Sequence, residues 1–204
     1  MNHKINNIDC SLEEYLVWIY LLELKDNGFI DEIIYQPKPF ILNGEVSKDF
    51  YKEKKDKKGN IKQVFTKRQN LINQHIYTTD FKVLWNEKAE NIFERDIDRL
   101  PGINLDIPFI SNSFNDINSY IEVKGQFNMQ NMVRMFTSHI QPRVYFEYKE
   151  YVQLIKPLDL FKATFIPKLA LEYMYYKKDS KNGLKGSKKH KWEYRTLEGY
   201  LKLK

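Results

Sequence analysis

The stretch after Ser11 is rich in hydrophobic residues, and this pattern predicts a helix near the start of the chain. Ser11 is a suitable N-cap, and Glu14 stands three residues later, as in a capping box. Apolar residues then run densely from Tyr15 to Leu24, and Asn27-Gly28 supplies a stop signal. The pattern therefore predicts one helix with a signal at each end.

Short apolar runs bounded by turn residues predict strands behind this helix. Ile33-Ile34-Tyr35-Gln36 predicts a strand that two prolines bend, and Phe40-Ile41-Leu42 continues it. The lysine-rich stretch from Asn43 to Asn73 indicates a loop or an extended hairpin. The next strand is predicted from Ile76 to Trp85.

The second half of the chain predicts a β–α–β unit. Tyr120 to Val123 has a strand pattern, and Asn128 to His139 has apolar residues at helical spacing. We expect Pro142 to close that helix and Val144 to Ile155 to form the following strand. Two strands joined through a helix should lie parallel. Leu160 to Tyr176 mixes helix and strand signals.

The predicted order of helix, strand, strand, strand, helix and strand indicates the α/β class, with a central mixed sheet flanked by helices. A chain of 204 residues is long enough for one domain with substantial arms. We expect that domain to span residues 1–176, with insertions at 43–73 and 86–119. Residues 177–204 predict a basic C-terminal arm.

The composition supports a folded protein outside the membrane. Hydrophobic residues make up 42% of the chain and aromatic residues 15%, which is enough for a core. The longest apolar run, Leu16 to Leu22, is far too short to span a bilayer, and no hydrophobic signal region follows Met1. The single cysteine, Cys10, excludes an internal disulfide and a cysteine-based zinc site. We therefore expect a cytoplasmic protein with no membrane partner.

The net charge of +6 is spread unevenly along the chain. Lys177 to Lys204 holds ten Lys and Arg residues against three acids, and Lys48 to Arg68 holds nine against three. Such patches attract a polyanion through counterion release. They equally fit a solubilising charged surface, so the charge alone leaves both interpretations open.

Two predicted strands carry acidic residues among apolar and β-branched neighbours. Asp80 lies in the first, and Glu122 and Lys124 lie two residues apart in the second, so both point to one side of it. Carboxylates and a lysine that converge on one sheet face are costly to bury unless a ligand uses them. A divalent metal ion and a phosphodiester are ligands of that kind.

Mg²⁺ prefers hard oxygen ligands, and Mn²⁺ is the alternative ion. Asp80 and Glu122 are the candidate carboxylate ligands, and the backbone carbonyl of Val123 is a further candidate. Lys124 is a candidate for orienting the attacking water or for stabilising the charged transition state.

These residues resemble the signature of the PD-(D/E)XK nuclease superfamily, which includes restriction endonucleases and phage Holliday-junction resolvases. Asp80 followed by Glu122-Val123-Lys124 carries the resemblance. The order of Ser11-Leu12-Glu13-Glu14, Tyr35-Gln36-Pro37-Lys38 and the two acidic segments is similar to that of small phage and prophage nuclease-like proteins. The resemblance covers most of residues 11–155.

Two features of the chain depart from that family pattern. Thr79 stands where the signature has proline. Forty-one residues separate Asp80 from Glu122, where the relatives have a short hairpin. The acidic segment between them would be an insertion at that turn, and the two strands must still pair for the site to form.

The resemblance implies a restriction-endonuclease-like core and a Mg²⁺-dependent DNA endonuclease that leaves a 5′-phosphate. It implies that a helical glutamate in a Ser-x-x-Glu pattern completes the metal site. That glutamate is Glu14, with Glu13 as the adjacent alternative. The favoured form of this hypothesis is a homodimer that cuts branched DNA. If a phage encodes the protein, we expect it to act in the cytoplasm of the host cell.

Two other functions remain open on the sequence. The chain could be a catalytically silent nucleic-acid-binding or virion-associated module built on a nuclease fold, which the long insertion and the basic arm favour. It could also be a transposase or packaging subunit whose nuclease acts only within a complex.

Overall fold

A computed structural model gives the fold, and it describes residues 3–93, 109, 117–125, 129–176 and 195–204. In chain order the elements are β1 (His3–Ile5), β2 (Ile8–Cys10), α1 (Leu12–Asp26), β3 (Ile30–Tyr35), β4 (Phe40–Asn43), β5 (Val46–Lys55), β6 (Ile61–Ile72), β7 (His75–Tyr77), β8 (Phe81–Trp85), a 3₁₀ turn (Glu87–Ala89), β9 (Asn118–Val123), α2 (Met129–Met135), a π-helical segment (Phe136–Ile140), α3 (Gln141–Tyr148), β10 (Val152–Ile155), α4 (Pro157–Ala163), α5 (Lys168–Tyr176) and α6 (Leu197–Leu201).

The chain divides into two compact units. The first comprises Met1–Pro37 and Thr79–Lys204, and the second comprises Lys38–Thr78. None of the helices in the described part of the chain is long and apolar enough to cross a membrane.

The first unit is built on a four-stranded mixed sheet with the order β10-β9-β8-β3. β3 pairs antiparallel with β8, β8 pairs antiparallel with β9, and β9 pairs parallel with β10. The parallel pair confirms the predicted β–α–β unit. The fold is therefore mixed α/β, with a mixed sheet that helices flank.

Helix α1 begins and ends where the sequence predicts. The Ser11 side chain accepts a hydrogen bond from the backbone N–H of Glu14, which satisfies one of the free donors of the first turn. At the other end Gly28 has a φ of +77°, a left-handed conformation that glycine adopts without strain. Between the caps the helix buries one stripe of apolar residues, namely Leu16, Val17, Ile19, Tyr20, Leu21 and Leu24.

That stripe packs against one face of the sheet. Phe81 and Val83 on β8 and Ile121 on β9 are fully buried in the same cluster, because alternate residues of a strand share a face. Tyr20 stacks on Phe165, and its hydroxyl donates to Thr164 across 3.0 Å. Helices α4, α5 and α6 complete this core.

The opposite face of the sheet lies next to the helical run from α2 to α3. Gln141 donates from its side-chain nitrogen to the carbonyl oxygen of Val152 across 2.6 Å, and Val144 and Val152 are fully buried. The predicted end of the helix at Pro142 is wrong, and so is the strand from Val144. Pro142 lies in the first turn of α3, where a proline needs no N–H donor.

The π-helical segment before α3 explains how the chain accepts Pro142. The N–H of Gln141 bonds to the carbonyl of Phe136, five residues back, so the helix is already wider than an α-helix at this point. The helical run continues to Tyr148, where Lys149 adopts a left-handed conformation with a φ of 60°. The following strand therefore starts only at Val152.

The structure differs from, or adds to, the sequence predictions at three other places. The predicted strand from Ile76 to Trp85 is two strands, β7 and β8, which belong to different sheets, and Asp80 immediately precedes β8. Leu160 to Tyr176 forms helices separated at Pro167. The hairpin of β1 and β2 was not predicted, although Asn6 and Asn7 both have positive φ and are typical of a two-residue hairpin turn.

The second unit consists of two antiparallel strand pairs, β4 with β7 and β5 with β6. The β5–β6 pair confirms the hairpin alternative for the lysine-rich stretch. Its turn is held by Asp56, whose carboxylate accepts hydrogen bonds from the N–H groups of Lys58 and Asn60. Gly59 supplies the left-handed residue of that turn, with a φ of +87°.

The predicted insertion at 86–119 and the predicted arm at 177–204 fall largely outside the described residues. Residues 195–204 are described and belong to the first unit, and two of them are buried. Leu197 is 5% exposed and Tyr200 is 2% exposed, and both join the cluster around Phe93 and Phe165. Apolar burial of these two side chains therefore anchors α6 in the first unit.

Leu197→Ala should lower the free energy of unfolding by about 2–5 kcal/mol, because it removes a buried side chain and leaves a cavity. Leu203 provides a matched control six residues later, since its side chain is 67% exposed. Leu203→Ala should change the unfolding free energy by less than about 0.5 kcal/mol. Urea denaturation followed by circular dichroism measures both values, and equal losses would contradict the placement of α6 in the core.

Candidate active site

Asp80 and Glu122 come opposite each other at one end of the sheet. The β8–β9 register pairs Phe81 with Ile121, so the next residues outward on the two chains are Asp80 and Glu122. On the other side of Asp80, its carbonyl oxygen accepts a hydrogen bond of 2.9 Å from the N–H of Gln36, directly after β3. One row across the sheet therefore carries Gln36, Asp80 and Glu122.

The carboxylate of Asp80 is held against the strand that carries Glu122. Its Oδ2 accepts a hydrogen bond of 2.6 Å from the backbone N–H of Val123. Val123 lies between Glu122 and Lys124, so this bond ties the acid to the middle of the Glu-Val-Lys segment. The 41 intervening residues have not separated the two acidic segments. The carbonyl role predicted for Val123 stays a prediction.

Glu122 and Lys124 form an ion pair on the side of β9 that faces the helical run. The Lys124 ammonium nitrogen contacts Oε1 of Glu122, and the two side chains are 22% and 8% exposed, respectively. The backbone N–H of Lys124 donates to the carbonyl of Ile155 on β10 across 2.9 Å. The sheet therefore positions the backbone of this lysine, and the glutamate holds its side chain.

The first turn of α1 brings two more carboxylates to the same end of the sheet. Oε1 of Glu14 accepts a hydrogen bond from the Ser11 hydroxyl at 2.7 Å, and Oε2 accepts one from the Tyr35 hydroxyl at 2.6 Å. The Glu13 carboxylate lies against the backbone of Gly125, where a methyl group added to the glycine would be 3.3 Å from Glu13 Oε1. Both predicted helical candidates are therefore beside the site.

The clustered acids alter the ionisation of Asp80. Burial is the largest cause and the negative charge of Glu122 is the second; together they raise the pKa of the Asp80 carboxyl to about 7 from its ordinary value of 3.8. The hydrogen bond from Val123 opposes this shift, and Glu14 adds to it. The site therefore concentrates negative charge where burial already disfavours it, and a bound cation would relieve that cost.

A cavity of about 250 Å³ opens beside Glu122 and Lys124. The two charged side chains lie at one wall of this cavity, and the helical run supplies the rest. The lining residues from the helical run are Asn131, Met132, Met135, Phe136 and Ile140. The ion pair thus lies at the wall of a largely apolar, open pocket.

Glu14, Asp80 and Glu122 each accept a hydrogen bond from a donor of the protein. Among the residues that the structure describes, no three Asp, Glu, His or Cys side chains are grouped so that they could hold a metal ion between them. The donor set nevertheless consists of carboxylate oxygens, which are the ligands that Mg²⁺ and Mn²⁺ prefer. Mg²⁺ keeps several waters and needs only one or two protein carboxylates, so the chemistry of Asp80 and Glu122 suits such an ion.

Tyr35 and Gln36 belong to the site, although the sequence did not assign them a role there. Burial is the largest cause, and the hydrogen bond to Glu14 the second, of a pKa of the Tyr35 hydroxyl well above its ordinary value. The hydroxyl therefore keeps its proton and donates it to the Glu14 carboxylate in a hydrogen bond. Gln36 has a φ of 48°, which is uncommon outside glycine and marks a constrained backbone beside Asp80. The proline after Gln36 was the available signal, because it ends the strand there.

The raised pKa of Asp80 predicts that the metal-free protein loses stability as the pH rises. The folded state holds this proton more tightly than the unfolded state does, so the stabilisation is complete below about pH 4 and is lost as the pH passes about 7. From pH 4.5 to 8, the wild type should lose on the order of 3 kcal/mol more than Asp80→Asn.

Urea unfolding in EDTA at each pH measures this difference. Glu32→Gln is the matched control, because Glu32 is an exposed acid on β3 of the same sheet. The control variant should follow the wild-type pH dependence. Parallel curves for wild type and Asp80→Asn would show that the Asp80 carboxyl is not under strain from its neighbours.

No protein-family model, curated protein or solved structure matches this chain. The geometry of the site and the distribution of charge therefore carry the functional argument.

Proposed function

We propose that this protein is a metal-dependent DNA endonuclease with a restriction-endonuclease-like core. Without the second unit, the main elements run in the order α1, β3, β8, β9, the helical run and β10. That is the helix, three strands, helix and strand that the resemblance implies, and the sheet has the mixed pairing expected for it. This order supports the proposed core.

One observation carries the proposed activity: Asp80, Glu122 and Lys124 meet at one end of the sheet beside the first turn of α1. These residues come from separate parts of the chain, and the Asp80–Val123 hydrogen bond joins two of those parts directly. An acid such as Asp80, whose pKa is raised by burial and by neighbouring acids, is costly for the fold. Such clusters are typical of sites where a ligand supplies the compensating charge.

Asp80 and Glu122 would hold the Mg²⁺ or Mn²⁺ ion, and Glu14 or Glu13 would contribute from α1. When bound, the ion neutralises charge on a phosphodiester and lowers the pKa of a water molecule. Asp80 must be ionised to serve as a ligand. Glu122 must share its carboxylate or release Lys124 to serve as a ligand, since the two side chains are paired.

Lys124 is the proposed catalytic cation. Once released from Glu122, its ammonium group can orient the attacking water or stabilise the charge that develops on the phosphoryl oxygens. Water adds to the phosphorus, the bond to the 3′ oxygen breaks, and the products are a 5′-phosphate and a 3′-hydroxyl. Tyr35 is a positioning residue in this account, because it directs the Glu14 carboxylate.

The basic stretches favour DNA as the substrate. A net charge of +6 with nine cations between Lys48 and Arg68 would attract a polyanion without reading its sequence. Branched DNA and a homodimer are the favoured forms, and both rest on the resemblance stated for the sequence.

A second candidate function is a nucleic-acid-binding module that does not cut. The closed ion pair between Glu122 and Lys124 favours it, because this pairing occupies both groups that the chemistry needs. The two candidates differ in one property, since only a nuclease requires the acids to bind a divalent ion.

Purified protein should nick supercoiled plasmid DNA with Mg²⁺ or Mn²⁺ and should be inactive in EDTA. Asp80→Asn and Lys124→Ala should each lower the rate at least about a hundredfold, because the first removes a proposed metal ligand and the second removes the proposed catalytic cation. Gel electrophoresis of the plasmid over time measures the rate.

Two matched controls test whether these losses are specific. Glu32→Gln removes an exposed acid of the same sheet, and Lys82→Ala removes a lysine on β8 whose ammonium lies 5.2 Å from the Tyr120 ring centroid. Both variants should keep activity within about threefold of the wild type, since neither residue belongs to the proposed machinery. Full activity in Asp80→Asn would defeat the nuclease proposal.

Saturating Mn²⁺ should raise the melting temperature of the wild type by several degrees, because an ion that binds only the folded state stabilises it. Asp80→Asn should lose this rise, and Glu32→Gln should retain it. Differential scanning calorimetry with and without the ion gives the shift. A wild type that binds DNA in EDTA but shows no Mn²⁺ shift would favour the non-catalytic module instead.

A further inference from the structure

The β5–β6 hairpin forms a two-stranded ribbon whose side chains are almost all exposed. It is a sheet of its own, and Ser47 is the one residue of its two strands that is partly covered. The ladder is regular from Ser47 opposite Asn70 to Lys54 opposite Gln63. Directly opposed residues share a face, so the register assigns each side chain to one of two faces.

The two faces carry very different charges. The first, called the basic face here, has four cations and no acid, and it consists of Lys48, Phe50, Lys52, Lys54, Gln63, Phe65, Lys67 and Gln69. The second, the mixed face, has two acids and one cation, and it consists of Ser47, Asp49, Tyr51, Glu53, Val64, Thr66, Arg68 and Asn70. Solubility alone does not require this sorting, because both faces are exposed.

Two aromatic rings lie among the lysines of the basic face. Phe50 is 36% exposed and Phe65 is 40% exposed. Phe50 lies opposite Lys67 and Phe65 lies opposite Lys52, so the rings occupy diagonal positions of neighbouring rows. The ammonium of Lys48 lies 5.5 Å from the centre of the Phe50 ring. Each ring therefore has a cation beside it.

We propose that the basic face binds unpaired nucleic-acid strands. The lysines supply the attraction to phosphates, and the two phenylalanines supply flat apolar surfaces on which exposed bases stack. In a duplex the bases are already stacked on each other, so a ring on the protein gains little from them. The combination of rings and lysines on one face therefore favours a single strand over a duplex.

This binding site goes beyond the proposed cleavage reaction and does not depend on it. The ribbon lies in the second unit, and Asp80, Glu122 and Lys124 lie in the first. Binding to the basic face involves no metal ion and no bond breakage. Measurements in EDTA therefore test it whether or not the protein is a nuclease.

Fluorescence anisotropy of a labelled oligothymidine of about 20 nucleotides, titrated with the full chain in EDTA, measures the affinity. Phe50→Leu/Phe65→Leu keeps the apolar character of both positions but removes the rings, and it should weaken binding at least about tenfold. Tyr51→Leu is the matched control, because Tyr51 is the 84% exposed aromatic residue of the mixed face. It should bind like the wild type.

The lysines of the basic face should also determine how strongly the binding affinity depends on the salt concentration. Lys48→Gln/Lys52→Gln/Lys67→Gln should reduce the slope of log affinity against log salt by roughly 2, since each contact with a single strand contributes about 0.7. Arg68→Gln removes the cation next to Lys67 on the other face, and it should leave the slope unchanged.

A conservative double variant tests whether substitution at these two positions weakens binding merely by unfolding the hairpin. Phe50→Tyr/Phe65→Tyr retains the rings and should retain the wild-type affinity. Unchanged affinity in the leucine pair, equal weakening by Tyr51→Leu, or equal affinity for a duplex of the same length would overturn the proposal. A wild-type dimer that the leucine pair converts to monomer in sedimentation would overturn it too, because the rings would then cover each other between two copies.

Discussion

The hydrogen bond from the Val123 N–H to the Asp80 carboxylate is the interaction on which the candidate site depends. It joins the end of one strand to the segment that carries Glu122 and Lys124, across 41 intervening residues. It also holds a carboxyl group beside other acids in a half-buried position, where its pKa rises to about 7. Burying the Asp80 carboxyl beside other acids thus costs electrostatic free energy, and the remaining groups of the site surround this carboxyl.

Those groups balance one another. Tyr35 and Ser11 donate to Glu14, Val123 donates to Asp80, and Lys124 pairs with Glu122. Every acid named in the proposed site therefore has a protein donor or, for Glu13, a glycine backbone beside it. A cation would compete with these donors rather than enter a preformed ring of ligands. The proposed chemistry accordingly includes the release of Lys124, which the adjoining cavity leaves room for.

The sequence was informative where a local signal and the tertiary structure agree. The capping residue Ser11, the stop at Gly28 and the alternation around Glu122 each act within a few residues, so α1 and β9 were predictable. The prediction that Pro142 ends the helix was wrong, because proline is tolerated in a first turn and the sequence pattern did not reveal the preceding π-helical segment. The position of Asp80 just outside its strand depends on pairing with two neighbouring strands, which no local signal encodes.

The same distinction applies to function. That Glu122 and Lys124 share one side of a strand followed from their spacing, whereas the contact of Glu14 with Tyr35 required the packing of α1 on the sheet. The sorting of lysines and phenylalanines onto one face of the β5–β6 ribbon required the register, since the sequence showed only a lysine-rich stretch. Charge counts could indicate a polyanion, and the register supports the proposal that the ribbon contacts its unpaired bases.

The most direct test is a crystal structure of the protein grown with Mn²⁺, read by the anomalous scattering of the ion. We expect a single strong peak about 2.0–2.2 Å from a carboxylate oxygen of both Asp80 and Glu122, with the Lys124 ammonium displaced from Glu122. Absence of a peak at these two residues, with Lys124 still paired to Glu122 at saturating Mn²⁺, would contradict it.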